Sequence, residues 1–277
     1  MQLGAIFIDH LVFNVELPKA DDEVIPGVPW GAVEAFPTPA YWAYQVYARR
    51  LHGERIDYKL GATLKEEVGA CLLGGHGIPS SIGLAAFHHV KERGAFGEVP
   101  PSEEVLLEWL REPMSVDGRL VRYRFAKQKA RYLAAALQKL SAEYPPLSSG
   151  KALRDWLLDV PGIGYKTASW VARNWLDADD VAILDIHILR AGLLGKFFET
   201  NLTVERHYLQ LEEQFIRFSK GLGVRASELD ALIWLEMMSS AQTVHSIMGM
   251  GRGAEESRPR SKPKKPKAHT SQLSLIG

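Results

Sequence analysis

The stretch LRDWLLDVPGIGYKTASWVARNW, residues 153–175, constrains this chain more than any other. Two runs with helical spacing of apolar residues meet at Val160-Pro161-Gly162-Ile163-Gly164. Pro161 sets the turn, and Gly162 and Gly164 are expected to supply backbone conformations that a side chain would block. Main-chain amides without neighbouring side chains can approach a phosphate closely. The start of the second helix adds unpaired N–H groups and the positive end of its dipole. Pro161, Gly162, Ile163 and Gly164 thus form a candidate phosphate clamp that needs no basic residue. An ordinary turn between helices is the plainer alternative for a Gly-X-Gly alone.

The charge balance makes a neutral clamp relevant. The 277 residues carry 33 Lys and Arg against 33 Asp and Glu. That total hides an asymmetry, because residues 252–277 hold seven basic and two acidic side chains, leaving +5 there and −5 over the rest. A body of that sign holds DNA through local patches and not through its overall field. One cysteine, Cys71, excludes an intrachain disulfide and any four-cysteine metal or iron–sulfur site built from this chain alone. No apolar run is long enough to span a bilayer. Residues 1–13 lack a positive n-region, so a secretory signal is not expected and a cytoplasmic location is.

Residues 1–40 contain five prolines and are expected to be extended or looped, with a short strand over Ala5–Val15. From residue 41 to 250 the helical period dominates, which predicts a mostly all-α body. Its predicted helices include YWAYQVYARRL, LKEEVGACLL, SSIGLAAFHHVKERG, SEEVLLEWLRE and, longest, VRYRFAKQKARYLAAALQKL. Further helices are expected at about 150–158, 165–174, 186–194, 203–219 and 226–240. From Gly251 the chain is rich in Arg, Lys, Pro and Ser, the composition of a basic disordered tail.

Two ionisable residues follow the turn. Lys166 falls in the first turn of a helix, where the dipole end is already positive. That position and burial both disfavour the ammonium form, and a neutral amine is a nucleophile able to form a Schiff base. A solvated surface lysine is the other reading. Asp185 follows the apolar run Val181–Leu184 and precedes a helix, so it reads as an N-cap whose carboxylate can also face a cleft.

Together VPGIGYKTASWVA and VAILDIHILR resemble the helix-hairpin-helix DNA glycosylase superfamily, over roughly residues 60–240. Its signature is this hairpin followed by an aspartate, and a lysine at position 166 marks its bifunctional members. The missing cysteine cluster sets aside the endonuclease III and adenine-glycosylase branches, and the lysine sets aside the monofunctional alkyl-base branch. The chain is similar to the 8-oxoguanine DNA glycosylase/AP lyase group in its compact prokaryotic form.

The resemblance implies a two-lobed helical fold, a flipped-out damaged nucleotide and catalysis by Lys166 with Asp185. It places Gly75 and His76 where the family wedges the duplex and meets the opposite base. It also puts Asp230 and Trp234 at the lesion pocket, Asp230 standing where the family has a glutamine, and His187 at a phosphate. It implies double-stranded damaged DNA as partner, a monomer, and no cofactor beyond a structural monovalent cation on hairpin carbonyls. Gln272, Leu273, Leu275 and Ile276 resemble the peptide by which bacterial proteins bind the sliding clamp. Arg119, Arg122, Arg124, Lys127, Lys129 and Arg131 fall in 13 residues without an acid, either a solvated helix or phosphate contacts.

Overall fold

The computed structural model describes residues 1–53, 59–75 and 77–249. Two compact units divide the chain: a continuous one, Lys59–Ile183, and a discontinuous one made of Met1–Tyr58 with Leu184–Gly277.

The chain begins in the discontinuous unit with a hairpin, β1 (Gln2–Ile8) and β2 (Leu11–Leu17), paired antiparallel so that Phe7 faces Val12. One strand was expected over Ala5–Val15. The sequence instead reverses at Asp9, whose φ of 51° suits an aspartate in a tight turn. A second small hairpin joins β3 (Glu23–Ile25) and β4 (Val28–Pro29). Helix α1 (Pro39–Leu51) then starts on Pro39 behind the Thr38 cap and buries Trp42, Ala43 and Val46.

The continuous unit holds α2 (Leu64–Leu73), α3 (Ser80–Glu92), α4 (Glu103–Arg111), β5 (Met114–Val116), β6 (Arg119–Val121), α5 (Ala126–Ala142), α6 (Gly150–Leu157) and α7 (Tyr165–Leu176). Helix α2 is central and packs on α3, α5 and α7. Its apolar face meets Phe87, Leu106, Leu133, Leu137, Leu153 and Val171 in one core. The long helix expected from Val121 begins five residues later. Residues 114–121 form a hairpin turning at Asp117 and Gly118, both with positive φ, so Arg119, Arg122 and Arg124 lie outside the helix. Strands of three residues are too short to show an alternating pattern, and Asp117-Gly118 was the readable signal.

The chain returns to the discontinuous unit with α8 (Ile186–Leu194), α9 (Val204–Leu222), α10 (Ala226–Ser239) and α11 (Ala241–Ile247). Helix α10 packs against α1, α8 and α9. Below them Phe197 stacks on Phe218, ring centroids 3.8 Å apart. Helix α9 breaks its helical dihedrals at His207. The mostly helical class expected from sequence is borne out, with three two-stranded sheets added among the described residues. No described helix is long and apolar enough to cross a membrane.

Candidate nucleic-acid interface and reactive residues

The hairpin is fastened from both sides. Ser149 caps α6, and Asp180 accepts from the Gly150 and Lys151 amides, both at 3.0 Å, so the segment after α7 holds the start of α6. Within the turn, Val160 N–H donates to Leu157 at 3.0 Å and Ile163 N–H to Val160 at 3.1 Å. The Val160 and Ile163 side chains are buried, whereas Pro161, Gly162 and Gly164 are exposed. The turn is therefore pinned by two apolar residues and presents its glycines outward.

The two glycines differ. Gly162 has φ +83°, and a Cβ there would lie 2.0 Å from the Tyr132 ring. Gly164 has φ −101° and ψ 178°, an extended conformation open to any residue, and a Cβ on it meets nothing within 4 Å. The expectation that both need glycine for backbone conformation holds for Gly162 alone. Gly164 leaves open space beside the head of α7, a helix that begins without a capping side chain.

Lys166 is the second residue of α7 and is half-buried. Asp185 caps α8: one carboxylate oxygen accepts from His187 N–H at 2.8 Å and Ile188 N–H at 3.2 Å. The incoming segment is fixed as well, since Val181, Ala182 and Leu184 are buried and Leu184 N–H donates to the Tyr208 hydroxyl at 3.1 Å. His187 is half-buried in the first turn of α8. Lys166 belongs to the continuous unit and Asp185 to the discontinuous one.

On α10, Asp230 and Trp234 are one turn apart, so they share a face. Asp230 is buried and Trp234 half-buried. Gly75 is exposed with φ +103°. His76 and the residues Gln272, Leu273, Leu275 and Ile276 lie outside the described residues.

The chain leading to Gly75 is moored in a way the sequence did not reveal. Lys129 donates to the Leu72 and Gly74 carbonyls at 2.5 and 3.2 Å, and the Tyr123 hydroxyl donates to the Leu73 carbonyl at 2.5 Å. The last carbonyls of a helix lack partners within it, and a lysine and a tyrosine supply them here. Burial holds the Lys129 ammonium below the usual lysine range. Lys129, grouped by sequence with the surface cations, is thus an internal one. Helix α3 approaches the same point closely, because Gly83 leaves room for Gly74.

A second buried network was also missed. Glu67, fully buried, accepts from the Leu60 and Gly61 amides and from Asn174 Nδ2 at 2.7, 2.9 and 2.7 Å. The neighbouring Cys71 thiol donates to it, and burial beside that carboxylate pushes the thiol up. A Glu inside an apolar helical run and an Asn on a buried face were the available signals.

Residues 101–224 match the family model described as 8-oxoguanine DNA glycosylase. A Methanocaldococcus jannaschii protein named 8-oxoguanine DNA glycosylase/AP lyase is 32% identical over 134 residues, covering 45% of this chain and 62% of that protein. One of the same name from Saccharolobus islandicus is 34% identical over 123 residues, covering 41% and 58%. The chain thus spans about three fifths of the length of these relatives. Among solved structures, the 8-oxoguanine DNA glycosylase of Thermotoga maritima aligns at 25% identity with a TM-score of 0.50, covering 70% of this chain and 94% of that one. The M. jannaschii glycosylase, at 23% identity and a TM-score of 0.53 over 73% and 92%, shares the fold. The match over residues 101–224 and the common helical architecture bear out the resemblance carried by hairpin, lysine and aspartate, that of the helix-hairpin-helix DNA glycosylases in their 8-oxoguanine branch.

Proposed function

We propose that this protein is a bifunctional DNA glycosylase and AP lyase that excises 8-oxoguanine from double-stranded DNA in base excision repair. The observation that carries the reading is the setting of Lys166 and Asp185 inside the matched segment 101–224. The lysine follows an outward-facing glycine turn, and the aspartate is locked at a helix cap. Relatives of this segment are named for that activity.

In this mechanism the Lys166 amine attacks C1′ of the damaged nucleotide. The N-glycosidic bond breaks, its electron pair leaves with the base, and the base gains a proton. Asp185 stabilises positive charge developing on the sugar. The amine loses a proton and the sugar ring opens to a Schiff base. Loss of a C2′ proton then expels the 3′ phosphate by β-elimination and nicks the strand. The hairpin amides at Gly162 and Gly164 and the residue His187 hold the backbone, Gly75 and His76 meet the opposite base, and Asp230 with Trp234 receive the everted one. The amine and carboxylate supply the chemistry without a cofactor, and hairpin carbonyls offer oxygens to a structural monovalent cation. The same reading makes the protein a cytoplasmic monomer and, on sequence pattern alone, assigns a sliding-clamp contact to Gln272, Leu273, Leu275 and Ile276.

The test is excision and nicking on duplexes carrying 8-oxoguanine opposite each of the four bases, with borohydride added to trap the Schiff base. A covalent adduct that Lys166→Ala abolishes is expected. Excision of another damaged base in preference would reassign the substrate, and DNA binding with no adduct or excision would leave a non-catalytic hairpin protein.

A further inference from the structure

Of the six cations between Arg119 and Arg131, Lys129 turns inward, while Arg122, Arg124, Lys127 and Arg131 are exposed. None of these four takes part in an ion pair among the described residues. Elsewhere in the continuous unit, Lys91, Arg93, Lys139 and Arg154 each hold a carboxylate. Lys127 and Arg131 stand one turn apart on α5, a like-charge spacing that weakens an isolated helix by a few tenths of a kcal/mol. No acidic residue occurs between Asp117 and Glu143 to relieve it.

This patch is continuous with the hairpin. The Tyr132 ring packs directly over Gly162, in the space where a Cβ would be. Gln128 donates to the Tyr132 hydroxyl at 3.1 Å, and the Arg131 guanidinium lies 5.2 Å from the centre of its ring. A phenol oxygen that accepts from Gln128 keeps its own proton to donate. Donors from Gln128 and Arg131 also hold the phenol below the usual tyrosine range. Tyr132 therefore joins the outward glycine turn to two cations of α5, Lys127 and Arg131, that hold no carboxylate among the described residues.

We infer that the exposed face of α5 formed by Lys127, Arg131 and Tyr132 is a second DNA-backbone site that continues the hairpin contact onto neighbouring phosphates. The inference rests on the DNA-binding part of the proposed function. Charge complementarity identifies the partner as a polyphosphate backbone, and only one of the three residues of this face, Tyr132, is aromatic, which favours a duplex over a single strand. Such contacts position the protein without reading sequence, so they serve damaged and undamaged DNA alike.

The experiment measures the affinity of the full chain for 8-oxoguanine duplex and for undamaged duplex of the same sequence across a salt series. Each phosphate contact contributes about 0.9 to the slope of log affinity against log salt. Lys127→Gln with Arg131→Gln is expected to lower that slope by about 1.8 on both duplexes. Tyr132→Phe, which keeps the ring over Gly162, is expected to weaken both by a common smaller factor. Lys65→Gln with Arg111→Gln removes equal charge from other helices of the same unit and is expected to leave the slope near that of the parent. An unchanged slope in that variant, an equal loss in the charge control, or a loss confined to single-stranded DNA overturns the inference. If the parent protein fails to excise any base while the α5 effect persists, the catalytic reading fails and this site stands.

Discussion

The Lys129 ammonium lies 2.5 Å from the Leu72 carbonyl, at the end of the helix that leads to Gly75. A cation on the C-terminal carbonyls of a helix satisfies groups that the helix itself cannot. Lys129→Met keeps the stem and removes the donor, leaving the Leu72 and Gly74 carbonyls without it. A buried acceptor deprived of its partner costs about 1–3 kcal/mol. The variant is expected to unfold earlier in urea by an amount in that range. Its excision is expected to become less selective for the opposite base, while trapping at Lys166 persists. Unaltered stability would show that the contact carries no weight.

Gly162 and Gly164 are expected to separate folding from binding. Gly162→Ala forces an L side chain to φ +83° against the Tyr132 ring, and the left-handed conformation alone costs roughly 1–2 kcal/mol. Gly164→Ala meets an ordinary extended backbone and open space, so its stability is expected to stay near that of the parent. If the turn approaches a phosphate, the Gly164 methyl group weakens DNA binding all the same. Paired denaturation and DNA-binding titrations read the two effects; a Gly164→Ala protein with full affinity would exclude close approach there.

Asp185 both caps α8 and, in the proposed mechanism, acts on the sugar. The substitutions Asp185→Asn and Asp185→Ala divide these roles. Asparagine caps as well as aspartate, so thermal stability is expected to be nearly retained, whereas alanine costs about 1 kcal/mol. Excision is expected to collapse in both. An active Asp185→Asn enzyme would restrict the residue to capping.

Burial and the Glu236 carboxylate, to which its hydroxyl donates at 3.3 Å, push the Tyr41 phenol up to about 12. In the folded chain this phenol keeps its proton at a pH where the unfolded chain has lost it. The folded state then binds more protons, and stability falls as pH rises from about 10 through 12. Its contribution is fully present below that window. Tyr41→Phe is expected to flatten the decline in unfolding midpoint over that range, and an identical pH profile would remove Tyr41 from the account.

The helices from α1 to α4 and from α6 to α10 were legible because their apolar residues recur at helical spacing and their ends carry Ser, Thr, Asp or Gly. The hairpin, Lys166 and Asp185 were legible for a similar reason: each depends on neighbours within a few residues. Local chemistry fixes a turn, a residue in a first helical turn and an N-cap without help from distant chain. The β5–β6 hairpin was not read because its strands are three residues each, too short to show an alternating pattern.

What the sequence determined by itself was thus the helical class, the glycine turn and the places of Lys166 in the first turn of one helix and Asp185 at the cap of another. Tertiary structure decided which of six neighbouring cations stays at the surface and which, as Lys129, is drawn in to helix-end carbonyls more than fifty residues away in sequence. It also decided that Tyr132 covers Gly162, and that Glu67 gathers donors from Leu60, Gly61 and Asn174. The reason is physical: a side chain's partner across the core is set by how helices pack, and the sequence around that side chain carries no record of which carbonyl or ring will stand opposite.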